Sequence, residues 1–164
     1  MRAPSSNDPA APKTARYSRL AMEIDAVLEG EQNHVARMAT VAAMLSAEFE
    51  GFFWTGFYCI DTSRERELVV GPYQGTLGCL RIAFGRGVCG VAAERRETLI
   101  VPDVDAYPGH IACDSRSRSE IVVPVIDAAD KLIAVLDVDS TALAAFDEDD
   151  AAGLERILRS VFGR

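Results

Sequence analysis

The apolar pattern of this chain changes from helical spacing to strand-like runs at about Phe52, and this change limits the possible folds. Before Phe52, residues 17–28 and 35–49 place apolar side chains three or four positions apart, which predicts two helices. Gly30 stands where the first helix would end, and Asn33 is placed to cap the second.

After Phe52 the segments are short, apolar and rich in β-branched and aromatic residues, which is typical of strands. The predicted strands cover residues 52–61, 68–73, 79–83, 98–101, 120–126 and 131–139. A glycine-containing turn and a short helix are predicted between the third and fourth strands, and a last helix from Phe146–Asp147. Helices followed by strands and a helix predict one α+β domain with a mainly antiparallel sheet.

Length and charge exclude several classes of protein. The 164 residues suit one domain, and 49% hydrophobic content is enough for a core. The net charge of −8 and the lack of a basic stripe argue against nucleic-acid binding.

Residues 1–15 are rich in Pro, Ala and Ser and contain no signal-like apolar segment, so we predict a disordered tail before a domain at 16–164. No membrane span is expected, and the predicted location is cytoplasmic.

The cysteines indicate redox chemistry rather than a metal site. They stand at positions 59, 79, 89 and 113, no two form a CxxC pair, and neither His34 nor His110 has ligand-like spacing with them. We therefore predict no metal. Because a reducing cytosol disfavours stable disulfides, a thiol pair there is expected to be catalytic or redox-sensing.

Cys113 lies in a polar loop whose charged residues favour a reactive thiol. Asp114, Arg116 and Arg118 follow it, and Glu120 opens the next apolar strand. Guanidinium groups favour the thiolate, which is the nucleophilic form of cysteine. The alternative from these residues alone is a surface thiol in a solvated loop.

The alternation of side chains along a strand places Trp54 and Tyr58 on one face and Cys59 on the other. By the same rule Asp137 and Asp139 share a face with Ile133 and Val135 at the end of an apolar strand. The two acids are either an exposed strand end or part of a polar site walled by the aromatic rings. Such a site would suit a small cationic or amino-acid ligand.

Six segments together resemble the free methionine-(R)-sulfoxide reductases, an enzymatic branch of the GAF domain family. They are WTGFY at 54–58, LVVGPYQG at 68–75, RIAFGRGVCG at 81–90, VPDVDAYPGHIACDSRSRSEIVVPV at 101–125, LDVDS at 136–140 and FDEDDAAGLE at 146–155. The likeness extends over residues 17–162, and a generic GAF domain would lack the cysteines of GRGVCG and GHIACDS.

The resemblance implies a single GAF-like domain with a six-stranded antiparallel sheet flanked by helices, and a homodimer. It implies reduction of free L-methionine-(R)-sulfoxide without a cofactor, with thioredoxin as the external reductant. Cys113 corresponds to the nucleophile and Cys79 to the resolving thiol, while Cys89 could resolve, attack or only pack. The substrate-binding positions fall on Trp54, Tyr58, Glu120, Asp137 and Asp139.

The sequence departs from this family at two places. Cys59 is an additional cysteine, which we expect in the core, and Leu77-Gly78 precedes the resolving position. A non-catalytic GAF module that senses a small molecule or an oxidant is the alternative function, because the same fold serves both purposes.

Overall fold

The computed structural model describes residues 10–164. The first nine residues of the predicted tail lie outside this range, and the first helix already begins at Lys13, within the predicted tail. Within the described range, no helix is long and apolar enough to cross a membrane.

Four helices and six strands make up residues 10–164 of the domain, together with the segments that connect them. The helices are α1 (Lys13–Val27), α2 (His34–Glu48), α3 (Gly87–Arg95) and α4 (Glu148–Phe162). The strands are β1 (Trp54–Ile60), β2 (Glu67–Gln74), β3 (Arg81–Ala83), β4 (Leu99–Val101), β5 (Ser119–Ile126) and β6 (Leu132–Ser140). The loop before β5 contains a single 3-10 turn at Val104–Ala106, which its sequence did not predict.

Side-chain caps begin the two helices for which the sequence predicted a start. The Asn33 side chain accepts hydrogen bonds from the backbone N–H groups of Val35 and Ala36, at 2.9 and 3.1 Å. At α4, Asp147 and Asp150 form a reciprocal capping box. Both predicted helix starts are confirmed.

The strands form one sheet in the order β3-β2-β1-β6-β5-β4, and every neighbouring pair is antiparallel. The predicted α+β class and six-stranded antiparallel sheet are therefore confirmed. The long central pairs β1–β6 and β6–β5 hold three strands in fixed register, so side chains from distant parts of the sequence form rows across the sheet.

Each face of the sheet has its own apolar core. On the helical face, α1, α2 and α4 cover residues such as Phe57, Leu136 and Val138. On the opposite face, here called the site face, α3 and two loops cover Trp54 and Tyr58. Cys59 packs on the helical face as predicted, where its Sγ lies 3.6 Å from Met38 Sδ.

One parity prediction is wrong. Ile133 packs on the helical face, whereas Val135 faces the site, so the two do not share a face. The β5–β6 register shifts between Val125 and Ile126, which leaves one extra residue in β6 and reverses the alternation before Ala134.

Candidate active site

The register of the central strands brings four of the predicted site residues together. Trp54 of β1 pairs with Asp139 of β6, and Asp139 pairs with Glu120 of β5, so the three form one row across the sheet. Asp137 lies in the next row, opposite Gly56. Two predicted acids and an aromatic ring thus meet at the same end of the sheet, with the third acid one row away.

The aromatic wall of the site, Trp54 and Tyr58, belongs to a stack of three rings. Trp54 stacks on Tyr58 with ring centroids 5.6 Å apart and on Tyr73 at 5.1 Å, and its indole N–H donates to the Thr76 carbonyl at 2.9 Å. Gly56 is required between them, because a Cβ there would lie 2.2 Å from Tyr73 Cβ. The sequence predicted Trp54 and Tyr58 but not the third ring.

The carboxyl groups lie on the floor of the site, largely removed from water. Only 5% of Glu120 and 6% of Asp137 is exposed. Burial, and then the charge of Asp139, raises the pKa of Glu120 to about 8. Burial and the charge of Glu120 also raise the pKa of Asp137, and burial and the charge of Asp137 raise that of Asp139. At neutral pH this cluster therefore retains at least one proton.

Cys89 faces these acids from the start of α3, which covers the site face. Its Sγ is 3.9 Å from Glu120 Oε1, and the side chain is buried. Burial, followed by the charges of Asp137 and Glu120, raises the pKa of this thiol well above its usual value. Because only the thiolate is a good nucleophile, this environment disfavours attack by Cys89.

His110 also contacts the carboxyl cluster, although its sequence spacing gave no sign of it. Its Nε2 lies 3.4 Å from Glu120 Oε2. Burial lowers the pKa of His110 and raises that of Glu120, so at neutral pH the contact joins two uncharged groups rather than an ion pair.

A disulfide joins Cys79 and Cys113, with their Cα atoms 5.3 Å apart. It links the loop between β2 and β3 to the loop before β5 and lies at the edge of the site. Next to it the Thr76 hydroxyl donates to Asp114 at 2.8 Å, which is a second link between the same loops. The two cysteines assigned to attack and resolution are therefore within bonding distance, whereas Cys59 and Cys89 are free thiols.

Arg116 is bound by its neighbour Asp114. Its Nε and Nη2 atoms donate to the two Asp114 carboxylate oxygens at 3.1 and 2.8 Å, and its guanidinium lies 4.8 Å from the Phe53 ring centroid. Much of its charge is therefore balanced by that carboxylate, which weakens its predicted effect on the Cys113 thiol.

Many of these groups line one cavity between the site face, α3 and the two linked loops. Its lining includes Trp54, Tyr58, Gly78, Arg86, Cys89, His110, Cys113, Glu120, Asp137 and Asp139. In this disulfide form the cavity volume is about 30 Å³, which is enough to hold water. Cys89, Glu120 and Asp137 place potential ligand atoms within 4.8 Å of one another, so they are the residues here that could hold a metal.

The GAF domain family profile matches residues 25–161. The chain belongs to the GAF domain family. Within that family it is 39% identical over 146 residues to the free methionine-R-sulfoxide reductase of Escherichia coli, covering 89% of this chain and 86% of that protein. It is 50% identical over 147 residues to GAF domain-containing protein A of Dictyostelium discoideum, with 90% of each chain covered.

A solved structure extends the likeness to three dimensions. The free methionine-R-sulfoxide reductase of Neisseria meningitidis, solved in complex with its substrate, superposes with a TM-score of 0.88. The two share 47% identity, and the match covers 98% of this chain and 93% of that one. The predicted membership of this oxidoreductase branch of the GAF family is therefore confirmed.

Proposed function

We propose that this protein reduces free L-methionine-(R)-sulfoxide to methionine. The observation that carries the proposal is the meeting, in one cavity, of a buried carboxyl cluster and Cys113, which forms a disulfide with Cys79. Relatives with this activity cover nearly the whole chain.

The carboxyl cluster supplies the proton that the reaction needs. A thiolate attacks a sulfoxide sulfur only as the oxygen is protonated or held by a donor. Glu120, Asp137 and Asp139 share the cavity with Cys113, and a neutral carboxyl among them protonates the leaving oxygen. The remaining carboxylate charge attracts the substrate ammonium, and Trp54 and Tyr58 hold the S-methyl group by apolar contact.

Two thiols complete the cycle in this proposal. The Cys113 thiolate attacks the sulfoxide sulfur as a carboxyl group protonates the oxygen. The oxygen then passes to the Cys113 sulfur as its bond to the substrate and the bond between the two sulfurs break, which leaves methionine and a sulfenic acid on Cys113. The Cys79 thiol then displaces the sulfenic oxygen as water and forms the disulfide. An external dithiol returns both cysteines to thiols by exchange. Cys89, buried with a raised pKa, contributes packing and proton sharing rather than attack.

Three further points rest on the family resemblance. We propose that thioredoxin supplies the external dithiol, that the protein is a homodimer, and that it acts in the cytoplasm.

A sensor module is the competing function, since most uses of the fold are regulatory. The residues of the site favour an enzymatic function. Binding of a small molecule alone needs neither the Cys79–Cys113 pair nor a buried carboxyl cluster facing Cys113. Burying several carboxyl groups together is costly, and a proton-transfer role explains their retention.

The deciding experiment is an assay with purified protein, thioredoxin, its reductase and the separated epimers of free methionine sulfoxide. We expect turnover of the R epimer, and almost none of the S epimer or of peptide-bound sulfoxide. Equal use of both epimers, or of neither, contradicts the proposal.

Single-turnover measurements then assign the thiols. Cys113→Ser abolishes methionine formation, whereas Cys79→Ser releases about one methionine per site and then stalls with thioredoxin. Cys59→Ser is the matched control, because its thiol lies on the helical face. A full burst from the Cys113 variant would place the nucleophile elsewhere.

The same assay tests the proton donor. General-acid catalysis contributes roughly 10²–10⁴ in rate, so Glu120→Gln and Asp139→Asn should slow the methionine-forming step rather than recycling. Rates like those of the unaltered protein in both variants, measured from pH 5 to 9, would leave the carboxyls with a binding role only.

A further inference from the structure

The cavity contains several acids but a single permanent cation. Among its lining residues in the described part of the chain, Arg86 alone carries a positive charge that does not depend on pH, since burial lowers the pKa of His110. Within residues 10–164 the Arg86 guanidinium makes no hydrogen bond or ion pair, and its side chain is exposed at the edge of the site. Arg81 and Arg116 are paired with carboxylates, whereas Arg95 and Arg118 are also exposed without such a pair but do not line the cavity.

Backbone donors lie beside Arg86. It is the N-cap residue of α3, where no side chain caps the helix and no acid stands in the first turn. Gly87 and Val88, the first residues of α3, line the same cavity. The N–H groups of a helical first turn have no partner within the helix and carry partial positive charge, which favours an anion.

A buried acceptor lacks a partner elsewhere in this cavity. Asp137 is 6% exposed, and its Oδ1 atom accepts no hydrogen bond in the described structure. A buried, unsatisfied acceptor is costly, so a donor is expected to occupy this position when the site is filled. The ammonium group of an amino acid is such a donor.

We propose that Arg86, with the first turn of α3, binds the α-carboxylate of the substrate and thereby restricts the site to free amino acids. A zwitterion then places its ammonium group on the acidic floor and its carboxylate at the cationic edge. In a peptide the carboxylate is replaced by an amide, which would leave Arg86 without its anion. The inference rests on the proposed reductase function and identifies the group that selects the free amino acid.

The test compares methionine-(R)-sulfoxide with its carboxamide, which keeps the ammonium and sulfoxide but lacks the negative charge. Dithiothreitol is the reductant, so protein–protein recycling does not enter the result. The variants are Arg86→Gln and Arg86→Lys, with Arg95→Gln at the other end of α3 as the matched control.

We expect the unaltered protein to prefer methionine-(R)-sulfoxide to its carboxamide. Arg86→Gln should lose roughly 10- to 100-fold in kcat/KM for methionine-(R)-sulfoxide, because a charge-assisted hydrogen bond is lost. The loss should lie mainly in KM, while the carboxamide changes less than about threefold. Arg86→Lys should retain part of the preference for the carboxylate over the carboxamide, and the control Arg95→Gln should retain all of it. Equal losses for both compounds, or no loss for either, overturn the inference.

Binding measurements separate this inference from the reductase proposal. Calorimetry of the reduced protein with the two products, methionine and methioninamide, needs no turnover. A preference for methionine that disappears in Arg86→Gln supports the role of Arg86, even if no sulfoxide is reduced. An equal affinity of the unaltered protein for both products refutes it.

Discussion

Replacing Glu120 by Gln should remove the part of the pH dependence of stability that comes from this one carboxyl group. Burial raises the pKa of Glu120 from 4.5 to about 8 in the folded protein. Below pH 4.5 both the folded and the unfolded chain hold this proton, and above about pH 8 neither does. Between these limits the folded state alone keeps it, so raising the pH favours the unfolded chain.

The size of the effect follows from proton linkage. One proton difference lowers the free energy of unfolding by about 1.4 kcal/mol per pH unit, or about 4 kcal/mol between pH 5 and pH 8. Glutamine is close in shape to a protonated glutamate but cannot ionise. In the Glu120→Gln variant, the free energy of unfolding should therefore lack this fall of up to about 4 kcal/mol between pH 5 and pH 8. Any constant cost of the substitution should appear equally at each pH.

Urea unfolding of the disulfide form at pH 5, 6, 7 and 8 measures this difference. Glu97→Gln, at an exposed position, is the control for the loss of one carboxyl group. The free energy of unfolding of Glu120→Gln minus that of the unaltered protein should rise by up to about 4 kcal/mol from pH 5 to pH 8. Parallel curves for the two proteins would show that Glu120 ionises normally and would remove it as the proton carrier.

Three further substitutions test the packing and the caps. Gly78→Ala adds a Cβ 3.0 Å from both Trp54 Cζ2 and Tyr58 Oη, and should raise KM for the sulfoxide roughly tenfold with little change in unfolding midpoint. Gly153→Ala places a Cβ 2.3 Å from the buried Tyr17 ring, so urea unfolding should show a loss of about 1–3 kcal/mol despite the better helix propensity of alanine. Asn33→Ala removes both cap hydrogen bonds of α2 and should cost about 1 kcal/mol in the same measurement, and an unchanged midpoint would contradict the role of the cap.

Much of the architecture could be predicted because local chemistry and tertiary packing agree. The change in apolar spacing near Phe52 separated helices from strands, and Asn33 and Asp147 marked helix starts that the structure confirms. Strand parity correctly placed Trp54 with Tyr58 and set Cys59 apart from them. It failed at Ile133, because a register shift is a property of the pairing between strands.

The site was harder to predict because it depends on the sheet register and on loop closure. Parity indicates which face Asp137 and Asp139 share, but only the β5–β6 pairing places Glu120 opposite Asp139. The contact of His110 with Glu120 depends on the path of a long loop, which has no periodic pattern. The position of Cys89 facing the acids likewise follows from how α3 packs on the sheet, so residue spacing alone left its role open.

The stacked indole in the wall of the cavity has a practical consequence. Trp54 is the only tryptophan in the 164-residue sequence, and it lies in the cavity whose lining also includes Cys113. The tryptophan fluorescence of the protein therefore originates at this one position, in a cavity that also contains sulfur and carboxyl groups, which quench an excited indole. Disulfide closure, reduction and ligand entry all change the surroundings of this ring, so the unlabelled protein carries its own optical reporter of each step.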